Sequence, residues 1–173
     1  MSYIMVDVEA DGPCPGLYSM VELGAVIVEP GLSRTFYGKL RPLPNAGYMQ
    51  EALDVFGVTR EQAEAYDDPV EVMEKFEKWI QENSEGRPIF ISDNNGYDYS
   101  FVNYYFWLCL GRNPFGHSSQ NLGSLYKGMV KDCFKSFKRL RITKHDHNPV
   151  NDAIGNCEAL LHMKLEMGLN IGL

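Results

Sequence analysis

The 173-residue sequence is poor in soft and nitrogen metal ligands. Its four cysteines, at 14, 109, 133 and 157, include no C-x-x-C pair, and the cysteines and histidines together lack zinc-ligand spacing. A structural zinc site and a dithiol redox motif are therefore excluded, and the cysteines are expected to be reduced thiols, some of them in the core. No apolar run approaches the roughly 20 residues of a membrane span. No basic segment followed by an apolar one opens the chain, so neither a membrane nor a secreted protein is expected and a cytoplasmic one is. Internal repeats and low-complexity tracts are also missing. Positive charge is in deficit, with 16 Lys and Arg against 23 Asp and Glu and a net charge of −7. Taken as a sum, that balance argues against a nucleic-acid binder.

The distribution of charge says something different. Residues 51–85 hold eleven acidic residues and three basic ones. Residues 117–145 hold Lys127, Lys131, Lys135, Lys138, Arg139, Arg141 and Lys144 against Asp132 alone. Each block by itself suits a solvated helix face. With 45% apolar residues, the chain has the length and composition of one α/β domain over 1–173. Strands are expected at 3–9, 20–29, 34–41 and 87–92, the first three as an antiparallel meander. Asp68 and Pro69 open a helix running to about Asn83, residues 99–110 form an aromatic helix, and 111–124 form a loop. The basic segment is expected to be helical, and Asn148-Pro149 opens the last helix, with Val150, Ala153, Ile154, Cys157 and Leu161 as its core stripe. The order β-β-β-α-β-α-α implies a mixed sheet covered by helices on both faces.

The stretch "IMVDVEADG", residues 4–12, carries the chemistry. Side chains alternate along a strand, so Ile4, Val6 and Val8 share one face while Asp7 and Glu9 share the other. Two like charges this close repel, and burying them is costly unless a cation compensates. Each acidic candidate also has an ordinary explanation: a solvated strand end for Asp7 and Glu9, a helix cap for Asp98 before Tyr99, and favourable placement in a first helical turn for Asp152. Together they suggest more. Hard divalent cations take oxygen ligands, and two such ions about 4 Å apart can clamp a phosphoryl transfer. That arrangement needs about four convergent carboxylates and a base, a role suited to His147, five residues before Asp152.

The three motifs resemble those of the DEDDh, or DnaQ-like, 3′–5′ exonucleases, which include RNase T and oligoribonuclease. "VDVEADG" matches the first, "SDNNGYDYSFV" the second and "HNPVNDAIGN" the third, in the family's order. The resemblance implies an RNase H-like, five-stranded mixed sheet flanked by helices. It implies Asp7, Glu9, Asp98 and Asp152 as ligands of two Mg²⁺ or Mn²⁺ ions and His147 as general base. It also implies release of nucleoside 5′-monophosphates from single-stranded 3′ ends, with a lean towards RNA over DNA. Ala10, Asp11 and Gly12 would contact the terminal nucleotide, largely through backbone. Ala10 replaces a common Thr, Asp93 replaces a His found in several members, and "DGPCPGLY" is long for the loop after the first motif. Lys135, Lys138 and Arg139 of the basic block would hold the phosphate backbone, and Tyr97, Tyr99 or Phe115 would stack a base. His145 is expected to be a bystander, and a homodimer is left open. Two alternatives compete: a non-catalytic nucleic-acid-binding module on the same fold, and an HD-type phosphohydrolase built on His145-Asp146, which the opening strands disfavour.

Overall fold

The computed structural model describes residues 1–172. Strands β1 (Ser2–Ala10), β2 (Met20–Ile27) and β3 (Thr35–Lys39) form the antiparallel meander, and β4 (Pro88–Ser92) and β5 (Ser119–Asn121) run parallel to β1 on its other side. The sheet order is β3-β2-β1-β4-β5, so β1 is central and paired along both edges. This is the mixed five-stranded α/β sheet expected.

Period-2 alternation sends the side chains of β1 into two cores. Ile4, Val6 and Val8 pack against α3 (Pro69–Asn83), through Val72, Phe76 and Ile80, and α4 (Asn95–Leu110), through Phe101 and Tyr105. On the opposite face, Met5 packs with Tyr126 of α5 (Leu122–Val130) and with Ala153, Cys157 and Leu160 of α6 (Pro149–Glu166). Asp7 and Glu9 follow Met5 on this second face, so they point towards the start of α6. Gly24, the β2 partner of Asp7, is what allows α6 to come so close. A Cβ there would collide with the Pro149 carbonyl and lie 2.5 Å from the Val150 nitrogen.

The helix caps follow the sequence. Asp68 accepts from the Val70 amide, and Asn148 accepts from those of Val150 and Asn151. Several elements differ from expectation. β5 falls inside the expected loop, because its three polar residues pair only with the edge that β4 offers. Two short helices, α1 (Gln50–Val55) and α2 (Arg60–Glu64), occupy the acidic block. α4 starts at Asn95, so Asp98 lies in its first turn and does not precede it. The basic segment is not one helix: α5 ends at Lys131 in the left-handed conformation, and a loop leads to a 3-10 turn at Phe137–Leu140. Among the described residues, no helix is long and apolar enough to cross a membrane.

Candidate active site

Three elements far apart in sequence deliver carboxylates to one place. One oxygen each from Asp7, Glu9 and Asp152 lie within 4.8 Å of one another. β1 supplies the first two and the first turn of α6 supplies the third, where the helix dipole favours an anion. Asp98 is buried in the first turn of α4, beside the C-terminal ends of the parallel strands β1 and β4.

Burial raises the pKa of Asp7, Glu9 and Asp98, and repulsion from neighbouring carboxylates adds to it. Burial lifts the Asp7 carboxyl well above the usual range, and the charges of Asp98, Glu9, Asp152 and Asp93 push the same way. Glu9 is pushed up to about 8, first by burial and then by Asp152, Glu22 and Asp98. Asp98 is pushed up to about 7 by burial, although the neighbouring Ser92 hydroxyl and the Val8 amide pull it down. Carboxyls whose pKa values are raised by burial and by one another's charge form a site short of positive charge. Such a donor set fits a hard divalent cation.

Asp152 differs from the other three in having an arginine partner. Its Oδ1 accepts from Arg141 Nη2 at 2.7 Å, in a pair whose side chains are only 6% and 1% exposed. Its Oδ2 faces His145 Nδ1 at 2.7 Å and accepts from the His147 amide at 3.1 Å. Arg141 was counted with the phosphate-holding block, but it is turned inward against α6 and occupies space that Gly155 leaves free. His145, expected to be a bystander, stands closer to a site carboxylate than His147 does. His147 Nδ1 lies 3.7 Å from Glu9 Oε1, and the two imidazole rings meet edge to face at 4.1 Å. His147 has a φ of +60°, a left-handed backbone that non-glycine residues rarely adopt and that recurs at functional sites.

Other expected contacts are rearranged. Ala10, Asp11 and Gly12 are buried. The Asp11 carboxylate pairs with Arg60 at 3.0 Å and accepts from the Ser19 amide. Its backbone N–H and C=O are taken by Ser19 and Met49, so the polar groups of Asp11 are engaged within this corner of the fold. Tyr97 is half-buried, directs its hydroxyl to the Gly12 carbonyl and packs on Phe101. Phe115 is fully buried and Tyr99 packs on Phe90 with its hydroxyl on the Gly116 carbonyl, so both belong to the core. Lys138 pairs loosely with Asp93 at 3.8 Å, Arg139 reaches the Tyr126 hydroxyl, and Lys135 stands exposed. One acidic neighbour escaped sequence reading. Glu22 is paired across β1–β2 with Glu9 and is buried under Lys39 and the hydroxyls of Tyr37 and Tyr66. A lone acid in the apolar run "MVELGAVI" was the available signal.

Comparison with known proteins agrees with this geometry. The exonuclease family model RNase_T matches residues 4–160. Cap18 of Escherichia coli, named a 3′–5′ DNA exonuclease, is 33% identical over 162 residues, covering 87% of this chain and 85% of that protein. The nuclease domain of 3′hExo, a DEDDh family member solved with rAMP, superposes with a TM-score of 0.79 at 17% identity, covering 99% of this chain and 96% of that one. E. coli Exonuclease I in complex with a dT13 oligonucleotide gives 0.77 at 12% identity, over 96% of this chain and 42% of that one. At such identities these structures establish the fold.

Proposed function

The chain belongs to the RNase_T exonuclease family and is a 3′–5′ exonuclease of DEDDh type, and on that premise we propose that it removes nucleoside 5′-monophosphates from single-stranded 3′ ends. The observation that carries this reading is the recessed triad of Asp7, Glu9 and Asp152, with ligand atoms within 4.8 Å of one another. With Asp98 it would hold two divalent ions, Mg²⁺ or Mn²⁺. Bound there, the ions supply the positive charge that activates a water and offsets charge on the departing 3′ oxygen.

The chain's own groups do the rest. His147 takes the proton of the attacking water, and because its Nδ1 faces Glu9, Nε2 is the atom left to receive it. The strained backbone at His147 and the bond from its amide to Asp152 hold the imidazole at the rim of the site. Arg141 holds the Asp152 carboxyl in place by donating to its Oδ1. Lys135 and Lys138, both exposed, and Arg139 would hold phosphates of the upstream strand. Four free thiols suit a reducing, cytoplasmic setting.

The sequence leaned towards RNA, whereas the relative at 33% identity is named for DNA. Single-stranded DNA is therefore the preferred substrate in this reading. A second base assignment is favoured by one observation: His145 and Asp152 form a close imidazole–carboxylate pair, an arrangement that orients a base. The test is product analysis on matched 5′-labelled DNA and RNA oligonucleotides with Mg²⁺, Mn²⁺ or EDTA. Stepwise 3′ shortening with release of 5′-monophosphates, abolished by EDTA and faster on DNA, is the expected result. Internal cuts, or activity that survives EDTA, would overturn it.

A further inference from the structure

Beside the carboxylates lies a surface feature that the catalytic residues do not use. Phe134 is 99% exposed, the most exposed large apolar side chain among the described residues. It is not on a loose tail. Lys131 closes α5 in a left-handed turn, the Phe134 amide donates to Asp132 Oδ1 at 2.9 Å, and the buried Phe137 pins the other side of the loop into the second core. The ring is thus presented by a turn anchored at both ends.

Its surroundings define what it could meet. Lys127, Lys131, Lys135 and Lys138 are all exposed around it. Among the described residues, only Lys138 of these four has an acidic partner, Asp93 at 3.8 Å. A cleft of about 200 Å³ runs beneath the loop, bounded by Lys127, Phe134, Lys135, Lys138 and, at its far side, Asp93. Asp93 directly follows β4 and precedes α4, whose first turn carries Asp98, so the cleft opens next to that carboxylate. An exposed aromatic ring set among exposed cations, in a chain whose net charge is −7, is complementary to a polyanion carrying flat apolar faces. Single-stranded nucleic acid has that chemistry: phosphates for the lysines and a base for the ring.

The geometry points to Phe134 as a stacking platform for a nucleobase of the single strand upstream of the scissile bond, with Lys127, Lys135 and Lys138 holding the adjoining phosphates. This inference rests on the exonuclease reading. It replaces Tyr99 and Phe115, which the core has absorbed, with a ring that is free to stack.

The test compares kcat/KM for an oligothymidylate long enough to reach the cleft with kcat/KM for the p-nitrophenyl ester of thymidine 5′-monophosphate, which cannot reach it. Loss of one stacked base costs roughly five- to a hundredfold in affinity. Phe134→Ala should lower the long-to-short ratio by about tenfold through KM, and Phe134→Trp should restore it. An abasic residue walked along the oligonucleotide should weaken binding at one position in the wild type and at none in Phe134→Ala. If both substrates are hydrolysed and the ratio is the same in wild type and Phe134→Ala, the platform is refuted while the exonuclease reading stands. If neither is hydrolysed, the exonuclease reading fails and this inference falls with it. A ratio that holds while Phe134→Ala changes the sedimentation of the protein would assign the ring to a protein interface instead, which also refutes the platform.

Discussion

Replacing Gly155 by alanine should destabilise this protein, although the same change in an ordinary helix interior stabilises by about 1 kcal/mol. The reason is Arg141. A Cβ on Gly155 would stand 2.6 Å from Arg141 Nη2 and 2.8 Å from Cζ. The guanidinium is a rigid plane, 6% exposed, and its far end is bonded to Asp152, so it cannot yield without leaving its partner. Breaking a buried ion pair by losing one member costs about 3–5 kcal/mol. Less the gain in helix propensity, the net loss is about 2–4 kcal/mol. For a chain of this length each kcal/mol moves Tm by about 2–4 °C, so a fall of roughly 4–16 °C is expected. Divalent metal should recover part of that loss, because a cation at Asp152 substitutes for the displaced guanidinium and ligand binding to the folded state raises Tm. Thermal melts of wild type and Gly155→Ala, each with EDTA and with saturating Mg²⁺, would show it. A Gly155→Ala variant that melts higher than wild type in EDTA would refute the buried Arg141–Asp152 clamp.

Asp7→Asn and Glu9→Gln should each abolish nuclease activity while raising the Tm of the metal-free protein, since each removes a buried carboxylate from a repelling cluster; an active variant of either kind would remove that residue from the site. Because Glu9 is pushed up to about 8 and Asp98 to about 7, the folded chain retains protons that the unfolded chain releases above about pH 4.5. Metal-free stability should therefore fall as pH rises from about 4.5 to 8, with a shallower slope in Glu9→Gln; equal slopes in EDTA would contradict the raised value. His147→Ala should slow hydrolysis by on the order of 10²–10⁴-fold without weakening metal binding, while His145→Ala should lose far less. The reverse outcome in rates measured across pH 5–8 would make His145 the base.

What could be read in the sequence was what local pattern controls. The alternation of Ile4 to Glu9 put two acids on one strand face, and Asn148-Pro149 marked the turn that carries Asp152. The meander, α3 and α6 followed from strand periodicity, caps and stripes. What stayed hidden depends on partners distant in the chain. β5 has no apolar signature, because three residues at a sheet edge are specified by the neighbouring strand. Arg141 looked like one more surface cation until Gly155 and Asp152, 14 and 11 positions away, gave it somewhere to go. Asp11 looked like part of a ligand loop until Arg60, brought back by α2, neutralised it. Phe115 looked available for stacking because nothing local shows that Phe90 and Phe106 close over it.

β1 precedes and α6 follows every other described element, yet both supply carboxylates to one cluster. During translation the central strand emerges with Asp7 and Glu9 in place, but no arrangement of the remaining strands can complete the cluster without the turn at Asn148. On the proposed reading, a chain in which α6 has not yet docked over Gly24 would lack nuclease activity. Drawing the carboxylates from elements so far apart in the chain makes a complete cluster depend on the docking of α6 against the finished sheet.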